Sequence, residues 1–302
     1  MGIIERISQF VPKDNICENE LMSRHTTFKV GGPCSVLVKI SEVEQLKKLL
    51  PYLVKENIPY FFLGNGSNIL VSDKGFDGVV ITYSQTLAED VEAEGDKIIA
   101  GGGVLLSKVA KKALDASLTG FEFAAGIPGT VGGAMVMNAG AYGGEMKDVV
   151  SAVTVLTKDG EIKTLTGDEM NFRYRGSVVE DEGYIVLEAV MELKEGNLEE
   201  IQARIEELSI QRKTKQPIEY PSAGSTFKRP EGYFAGKLIQ DSGLRGYKVG
   251  GAQVSEKHCG FVINAGGATA ADVMQLMQDV SDKVNAQFGV TLEPEVKRIG
   301  EF

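Results

Sequence analysis

Ser225 of "AGSTFKRP" (223–230) follows a glycine and precedes the basic pair Lys228–Arg229, a setting that could place a hydroxyl for chemistry. A nucleophilic serine needs a base beside it to take its proton. The chain has two histidines, His25 and His258, and neither is close to Ser225 in sequence. Two glycine loops are the other chemical candidates. In "LGNGSNIL" (63–70), bare amides at Gly64 and Gly66 can approach a phosphate, with Asn65, Ser67 and Asn68 adding polar side chains. A tight turn with a left-handed Asn would use the same residues. "GFEFAAGIPGTVGGAMVMNAGAYGG" (120–144) holds eight glycines in 25 residues. Pro128 could open a short helix there, with Gly129, Thr130, Gly132 and Gly133 around it, and amides at a helix start attract a pyrophosphate. Close packing of a helix on a sheet through small residues is the competing account. Two such loops in one chain, each with Asn and Ser or Thr, favour a dinucleotide. Neither fits GxGxxG or GxxxxGK[ST], so neither a Rossmann nor a P-loop fold is indicated.

The elements that must position these residues follow from periodicity. "CSVLVKI" (34–40) alternates as a strand. Ser41 then caps a helix, with Glu44 as capping-box partner and Leu46, Leu49, Leu50 and Leu53 as its apolar stripe. "PYFFL" (59–63) and "GVVITYS" (78–84) are strands, so the chain to about 82 forms a β-α-β-β-like subdomain. A second part runs from the strand "KIIAGGG" through an amphipathic helix at 104–117. It continues through a hairpin at 153–165, with Asp159–Gly160 as its tight turn, to the strand "YIVLEAVMEL" (184–193). A polar-faced helix at 196–217, ended by Pro217, connects to a third part. That part has a helix at "FAGKLIQDSGL", strands at "YKVGGAQV" and "GFVIN", and a long helix at 268–288. The long helix turns Val273, Leu276, Met277, Val280, Val284 and Phe288 to the core. A last strand lies near "VTLEPEV". "MGIIERISQF" mixes charged and apolar residues and reads as an amphipathic helix, not a secretion signal.

Composition narrows the class. A hydrophobic content of 43% with 25% charged residues is that of a soluble globular protein, and no apolar run is long enough for a membrane span. A net charge of −10 argues against nucleic acid as a partner but leaves room for a basic pocket on an anionic small molecule. Cys17, Cys34 and Cys259 are too few and too scattered for a disulfide framework or zinc site, which fits a reducing cytoplasm. With two histidines and no HExxH, no catalytic metal is expected.

"LGNGSNIL", "AGIPGTVGGAMVMNAGAYG", "FRYRGS", "AGSTFKRP" and "LEPEV" occur in this order. Individually weak, together they resemble the UDP-N-acetylenolpyruvoylglucosamine reductase family of peptidoglycan precursor synthesis. The resemblance runs from "TTFKVGGP" (26–33) to the C-terminus. It implies an α+β protein with a vanillyl-alcohol-oxidase-type FAD-binding fold of two subdomains, 1–82 and 83–196, and a C-terminal α+β domain, 197–302, that binds the UDP-sugar. It places FAD against Gly64, Asn65, Gly66, Ser67 and Asn68, and against the 126–141 loop. In that loop it points to Gly126, Ile127, Pro128, Gly129, Thr130, Gly132, Gly133, Ala134, Asn138, Gly140 and Ala141. Neither loop contains His or Cys, so FAD is expected to bind non-covalently. The short separation of "FRYRGS" from "AGSTFKRP" resembles the compact type of the family, which lacks a tyrosine-bearing insertion over the substrate.

The implied reaction reduces an enolpyruvyl ether to a lactyl ether, with NADPH as hydride donor by way of FAD. Hydride reaches the terminal vinyl carbon, charge builds on the neighbouring carbon and its carboxylate, and a proton must follow. The resemblance assigns the carboxylate to Arg175, the proton to Ser225, and support of the enolate or orientation of the serine to Glu295. A guanidinium matches two carboxylate oxygens at once. Arg173 and Glu293 are near neighbours of the same type. Read alone, Arg175 fits a surface ion pair and Glu295 a solvated strand end. Lys237, Arg245 and His258 lie in segments the family uses for the UDP-sugar, where a diphosphate needs cations, although each alone fits an ordinary surface residue. Another flavoenzyme of this fold, acting on a hydroxy acid or sugar, is the alternative. A nucleotide-binding regulator would keep the glycine loops but not Arg175, Ser225 and Glu295 together.

Overall fold

The computed structural model describes residues 2–302. It is an α+β protein whose chain forms two compact units, interleaved in sequence. One contains the residues up to Glu18 with Val36–Asn65 and Gly78–Ile210; the other contains Asn19–Ser35, Gly66–Asp77 and Gln211–Phe302. The first unit has two hydrophobic cores and the second has one.

The first core forms under the helix Val43–Lys55, which buries Leu46, Leu49, Leu50 and Leu53. Their spacing of three and four puts them on one face. They pack with Val36, Val38, Ile40, Val79 and Ile81 of a sheet ordered Ile16–Leu21, Pro33–Ile40, Phe76–Tyr83, Tyr60–Phe62. Pro51 lies inside this helix. A proline there costs about 3 kcal/mol, whereas each buried leucine contributes about 1.5–3 kcal/mol, so four leucines hold the helix through it. The capping differs from the Ser41–Glu44 box. The N-cap is Glu42, and Ser41 instead bonds Gln45, whose Oε1 accepts the Ser41 amide at 3.0 Å.

The second core lies on an antiparallel sheet ordered Ile162–Thr166, Val150–Leu156, Ile185–Glu192, Lys97–Gly101, Val91–Glu94. The helix Leu106–Asp115 buries Leu106, Val109, Ala110 and Ala113 in that core, and the short helix Val131–Met137 buries Val131, Ala134 and Met135. The hairpin at 153–165 forms with a wider turn than Asp159–Gly160 alone. Thr157 donates its amide to Glu161 O at 2.9 Å, leaving Lys158, Asp159 and Gly160 as the loop. Gly160 takes φ +84°, the left-handed residue that a three-residue hairpin needs.

The third core gathers around the helix Ala270–Phe288, which buries Val273, Leu276, Met277, Val280 and Val284. Thr269 and Asp272 form its capping box, and Asp73 accepts the amides of Ala270 and Ala271 at 2.7 and 2.9 Å. Phe288 departs from the expected core face. It sits in the last helical residue before the left-handed Gly289 and is exposed. The last strand is also displaced, because Pro294 has no N–H to give a ladder. "VTLEPEV" contributes a single bridge, Phe227 to Pro294, and the strand proper is Lys297–Ile299, parallel to Ile69–Val71. Among the described residues no helix is long and apolar enough to cross a membrane, and no group of three His, Cys, Asp or Glu could hold a metal.

Candidate active site

In the second unit, the residues after Gly224 run as an extended segment against 293–295. Lys228 donates its amide to Glu293 O, and Glu295 donates its amide to Thr226 O, each at 2.8 Å. Thr226 fixes this segment. Its amide donates to Gly260 O at 2.9 Å, and its buried hydroxyl accepts the Val262 amide at 2.9 Å. Ser225, one residue earlier, is exposed, and its hydroxyl makes no hydrogen bond among the described residues. The backbone therefore brings Ser225 and Glu295 together although 70 positions separate them in the chain. The neighbouring Glu293 is exposed and paired with Lys228 at 3.3 Å. Glu295, by contrast, is half-buried.

Asn68 is tied to the same place. Its side-chain amide donates to Glu295 O at 3.2 Å, and its carbonyl accepts the Lys297 amide at 3.0 Å. Thr27 joins two further pieces, donating its amide to Gly66 O at 3.1 Å and its hydroxyl to Ser222 O at 2.6 Å. Sequence reasoning singled out neither Thr27 nor Thr226 for this. A buried threonine that only holds backbone carries no motif of its own.

His258 is half-buried, edge-on to Phe261 with ring centroids 5.1 Å apart. Its Nδ1 accepts the Gly260 amide at 3.1 Å, which puts the ring proton on Nε2. Burial pushes its pKa below the usual histidine range, so near neutral pH it is a hydrogen-bond donor rather than a cation. Lys237 pairs with Asp241 one helical turn on, and Arg245 donates to Gln240 at 2.6 Å and to the Glu256 carbonyl.

In the first unit the two glycine loops meet. Asn65 donates its side-chain amide to Pro128 O at 2.8 Å, and a Cβ on Gly64 would lie 2.5 Å from Thr130 Oγ1. The helix Val131–Met137 does not offer its first amides to a ligand. Val131 and Gly132 donate to the carbonyls of Val104 and Gly102, both at 2.8 Å, and Gly133 donates to Thr130 Oγ1 at 3.3 Å. Gly132 therefore serves close packing: a Cβ there would stand 3.0 Å from Gly102 O. Ala134 is buried and Ile127 packs against the core. Gly140 and Ala141 pair with Gly144 and Glu145 in a small hairpin.

The amides of Gly64, Asn65, Gly126, Gly129 and Thr130 make no hydrogen bond among the described residues, nor do those of Gly66 and Ser67 in the second unit. Of these residues Gly64, Asn65 and Gly126 are exposed, and unpaired backbone donors at the surface are what an anionic linker such as the FAD diphosphate needs, so they fit that group.

Arg175 also lies in the first unit, in a tight turn. Arg173 and Gly176 exchange amide–carbonyl bonds of 3.0 and 3.2 Å, and Arg175 takes φ +56°. Its guanidinium lies 5.1 Å from the centre of the Tyr174 ring. Arg173 instead forms a forked pair with Asp181, 2.9 Å on one arm. The turn is anchored by Asn138, which is buried and donates to Arg173 O and Glu145 while accepting the Lys147 amide. Asn138 thus has both side-chain protons engaged within the protein. Glu145 is held below the usual carboxylate range first by its hydrogen bond from Lys147, burial opposing, with Asn138 and the charge of Arg175 adding to the effect.

Residues 34–166 match the FAD binding domain, and residues 216–299 match the C-terminal domain of UDP-N-acetylenolpyruvoylglucosamine reductase. The reductase of Caldanaerobacter subterraneus subsp. tengcongensis is 52% identical over 99% of this chain and 98% of its own length. That of Lachnoclostridium phytofermentans is also 52% identical, over 99% of this chain and 97% of its own length. The crystal structure of the Thermus caldophilus reductase superposes with a TM-score of 0.81 at 38% identity, over 93% of this chain and 98% of that one. A glucose dehydrogenase, Phl p 4.0202, shares the fold at 14% identity and a TM-score of 0.50, covering 64% of this chain and 44% of that chain. The N-terminal part is thus the vanillyl-alcohol-oxidase-type FAD-binding fold. Identity of this level over essentially the whole length places the chain in the UDP-N-acetylenolpyruvoylglucosamine reductase family of FAD-dependent oxidoreductases.

Proposed function

We propose that the chain reduces the enolpyruvyl ether of UDP-N-acetylglucosamine to UDP-N-acetylmuramate, with NADPH as reductant, in peptidoglycan precursor synthesis. The observation that carries this at the residue level is the exposed Ser225, placed one residue before Thr226, whose carbonyl accepts the Glu295 amide at 2.8 Å. FAD, when bound, supplies a two-electron carrier between NADPH and the substrate double bond.

The chain's own residues do the rest. Gly64 to Asn68 and the exposed part of 126–141 hold the cofactor non-covalently through backbone donors. Arg175 binds the substrate carboxylate, and its hold strengthens as charge grows there, so it favours the transition state over the ground state. Ser225 donates a proton to the carbon beside that carboxylate. Such a carbanion-like centre is basic enough to take a proton from an alcohol that is merely well placed. Glu295, one strand partner away, orients the serine and supports the enolate. Lys237, Arg245 and His258 contribute to the UDP-sugar site, His258 through a neutral Nε2–H. The three parts 1–82, 83–196 and 197–302 serve as two cofactor subdomains and a substrate domain. The second unit also draws in Asn19–Ser35 and Gly66–Asp77. Three free cysteines fit work in a reducing cytoplasm.

The test is direct. Purified protein carries FAD that NADPH reduces, and NADPH is consumed beyond the stoichiometric reduction of that FAD only when the UDP-sugar enolpyruvyl ether is added, with UDP-N-acetylmuramate as product. NADPH consumption that depends on oxygen and ignores the UDP-sugar would overturn the assignment.

A further inference from the structure

The turn that presents Arg175 is held in a conformation its own sequence disfavours. Arg175 has φ +56°, and an arginine persists in the left-handed region only where its surroundings over-determine it. Gly176 closes the turn, and its Cα hydrogens already face the Arg173 side chain at a distance where a Cβ would touch, 3.0 Å. Ser177, fully buried, tethers the next residue by donating its hydroxyl to Val136 O at 3.2 Å.

What imposes the conformation is Asn138. It ends the helix Val131–Met137 in the left-handed region itself, with φ +41°, and its side chain is 1% exposed. One amide proton goes to Arg173 O at 3.2 Å and the other to the Glu145 carboxylate at 2.9 Å, while Oδ1 accepts the Lys147 amide at 3.0 Å. A single buried side chain therefore joins the first residue of the Arg175 turn to the Glu145 carboxylate, whose ionised form the charge of Arg175 also favours. Few other side chains could substitute. The site asks for two donors and an acceptor in one plane, on a residue that tolerates positive φ, and asparagine supplies all of these.

We propose that Asn138 is a positioning residue for Arg175. It fixes the Arg173–Gly176 turn and the Glu145 carboxylate together, so that the guanidinium is already aimed when the substrate carboxylate arrives. The proposal rests on the reading of Arg175 as the group that holds that carboxylate. It gives Asn138 a task in substrate turnover instead of a contact to FAD.

Asn138→Gly tests it. Glycine adopts the left-handed backbone freely, so the substitution deletes the three side-chain bonds without adding strain. The FAD-loaded protein is followed in its two half-reactions, with FAD content, calorimetric binding of UDP-N-acetylmuramate and amide exchange of 173–177 measured beside them. Flavin reduction by NADPH stays at the wild-type rate, and reoxidation by the enolpyruvyl substrate slows about 100-fold, as for a reacting group displaced by about 1 Å. UDP-N-acetylmuramate binds more weakly, and the 174–176 amides exchange faster. In an Arg175→Ala background, Asn138→Gly adds nothing further to the loss, because both changes remove one interaction.

Asn138→Asp, which keeps the shape and the Lys147 contact but puts a second carboxylate beside Glu145, gives the same split between half-reactions. It serves as the second variant should the glycine variant not retain FAD. Additive losses in the double variant overturn the proposal, as does loss of FAD in both single variants or equal slowing of the two half-reactions. If Arg175→Ala itself leaves reoxidation intact, the reading of Arg175 fails first, and that result is distinct from a failure of Asn138 alone.

Discussion

The Arg175 turn and the Ser225 segment each carry one of the side chains proposed to act on the substrate, and they hold it by opposite means. Ser225 lies between bends at Gly224 and Thr226 and is itself outside the left-handed region, pinned by ordinary backbone bonds from Thr226 to Gly260 and from Glu295 to Thr226. Arg175 sits in a left-handed turn and depends on a buried side chain, Asn138, to stay there. The difference follows from what each group must do. A proton donor has a short side chain, so its backbone alone sets its position. A guanidinium at the end of a long side chain needs its base fixed, and the bond from Asn138 to Arg173 O holds the turn that carries it.

Substitutions can break this contrast in order of size. Ser225→Ala removes the proposed proton donor and nothing else. Reoxidation of reduced flavin by substrate should fall about 10²–10⁴-fold while reduction by NADPH is unchanged, measured by stopped-flow absorbance. Equal loss in both steps would make Ser225 structural. Arg175→Lys keeps the charge but loses the fork, and should cost about 10²-fold in the substrate half-reaction. Arg173→Lys, at the surface pair with Asp181, should leave it nearly unchanged. Steady-state kcat/KM for both variants decides between the two arginines.

Thr226→Val preserves shape but leaves the buried Val262 amide without its acceptor. A loss of about 1–3 kcal/mol in urea unfolding is expected, with FAD binding retained. A midpoint equal to wild type would show that the segment does not depend on this bond.

The smallest effect is a pH dependence. His258 has a folded pKa below its unfolded value because of burial, so the unfolded chain takes up a proton first as pH falls. Stability attributable to His258 is full above the unfolded histidine pKa, and declines as pH falls from there towards the folded pKa. His258→Phe should flatten the wild-type decline in melting temperature between about pH 7 and 5. If the slope stays, other groups cause it.

Much of the architecture was legible from periodicity. The leucine stripe of Val43–Lys55 and the core face of Ala270–Phe288 are spaced as helices require, and they are buried as that spacing implies. Errors fall at ends, where pattern gives way to local chemistry. Ser41 bonds Gln45 instead of forming a box with Glu44, Phe288 swings out at the helix terminus, and Pro294 pushes the last strand on to Lys297–Ile299.

The site divides in the same way. By itself the sequence determined which residue types are available: two glycine loops, a serine without a nearby base, and the ordered motifs that carry the family resemblance. Those are properties of composition and order, which survive without a fold. Only the tertiary structure decided which of two similar residues stands where. It pairs Glu293 with Lys228 and leaves Glu295 beside Thr226, and it gives Arg173 to Asp181. It also spends the amides of Val131, Gly132 and Gly133 inside the protein while leaving those of Gly64 and Thr130 open. Hydrogen-bond partners tens of residues apart in sequence settle most of these choices, although the Arg173–Asp181 and Gly133–Thr130 bonds are local.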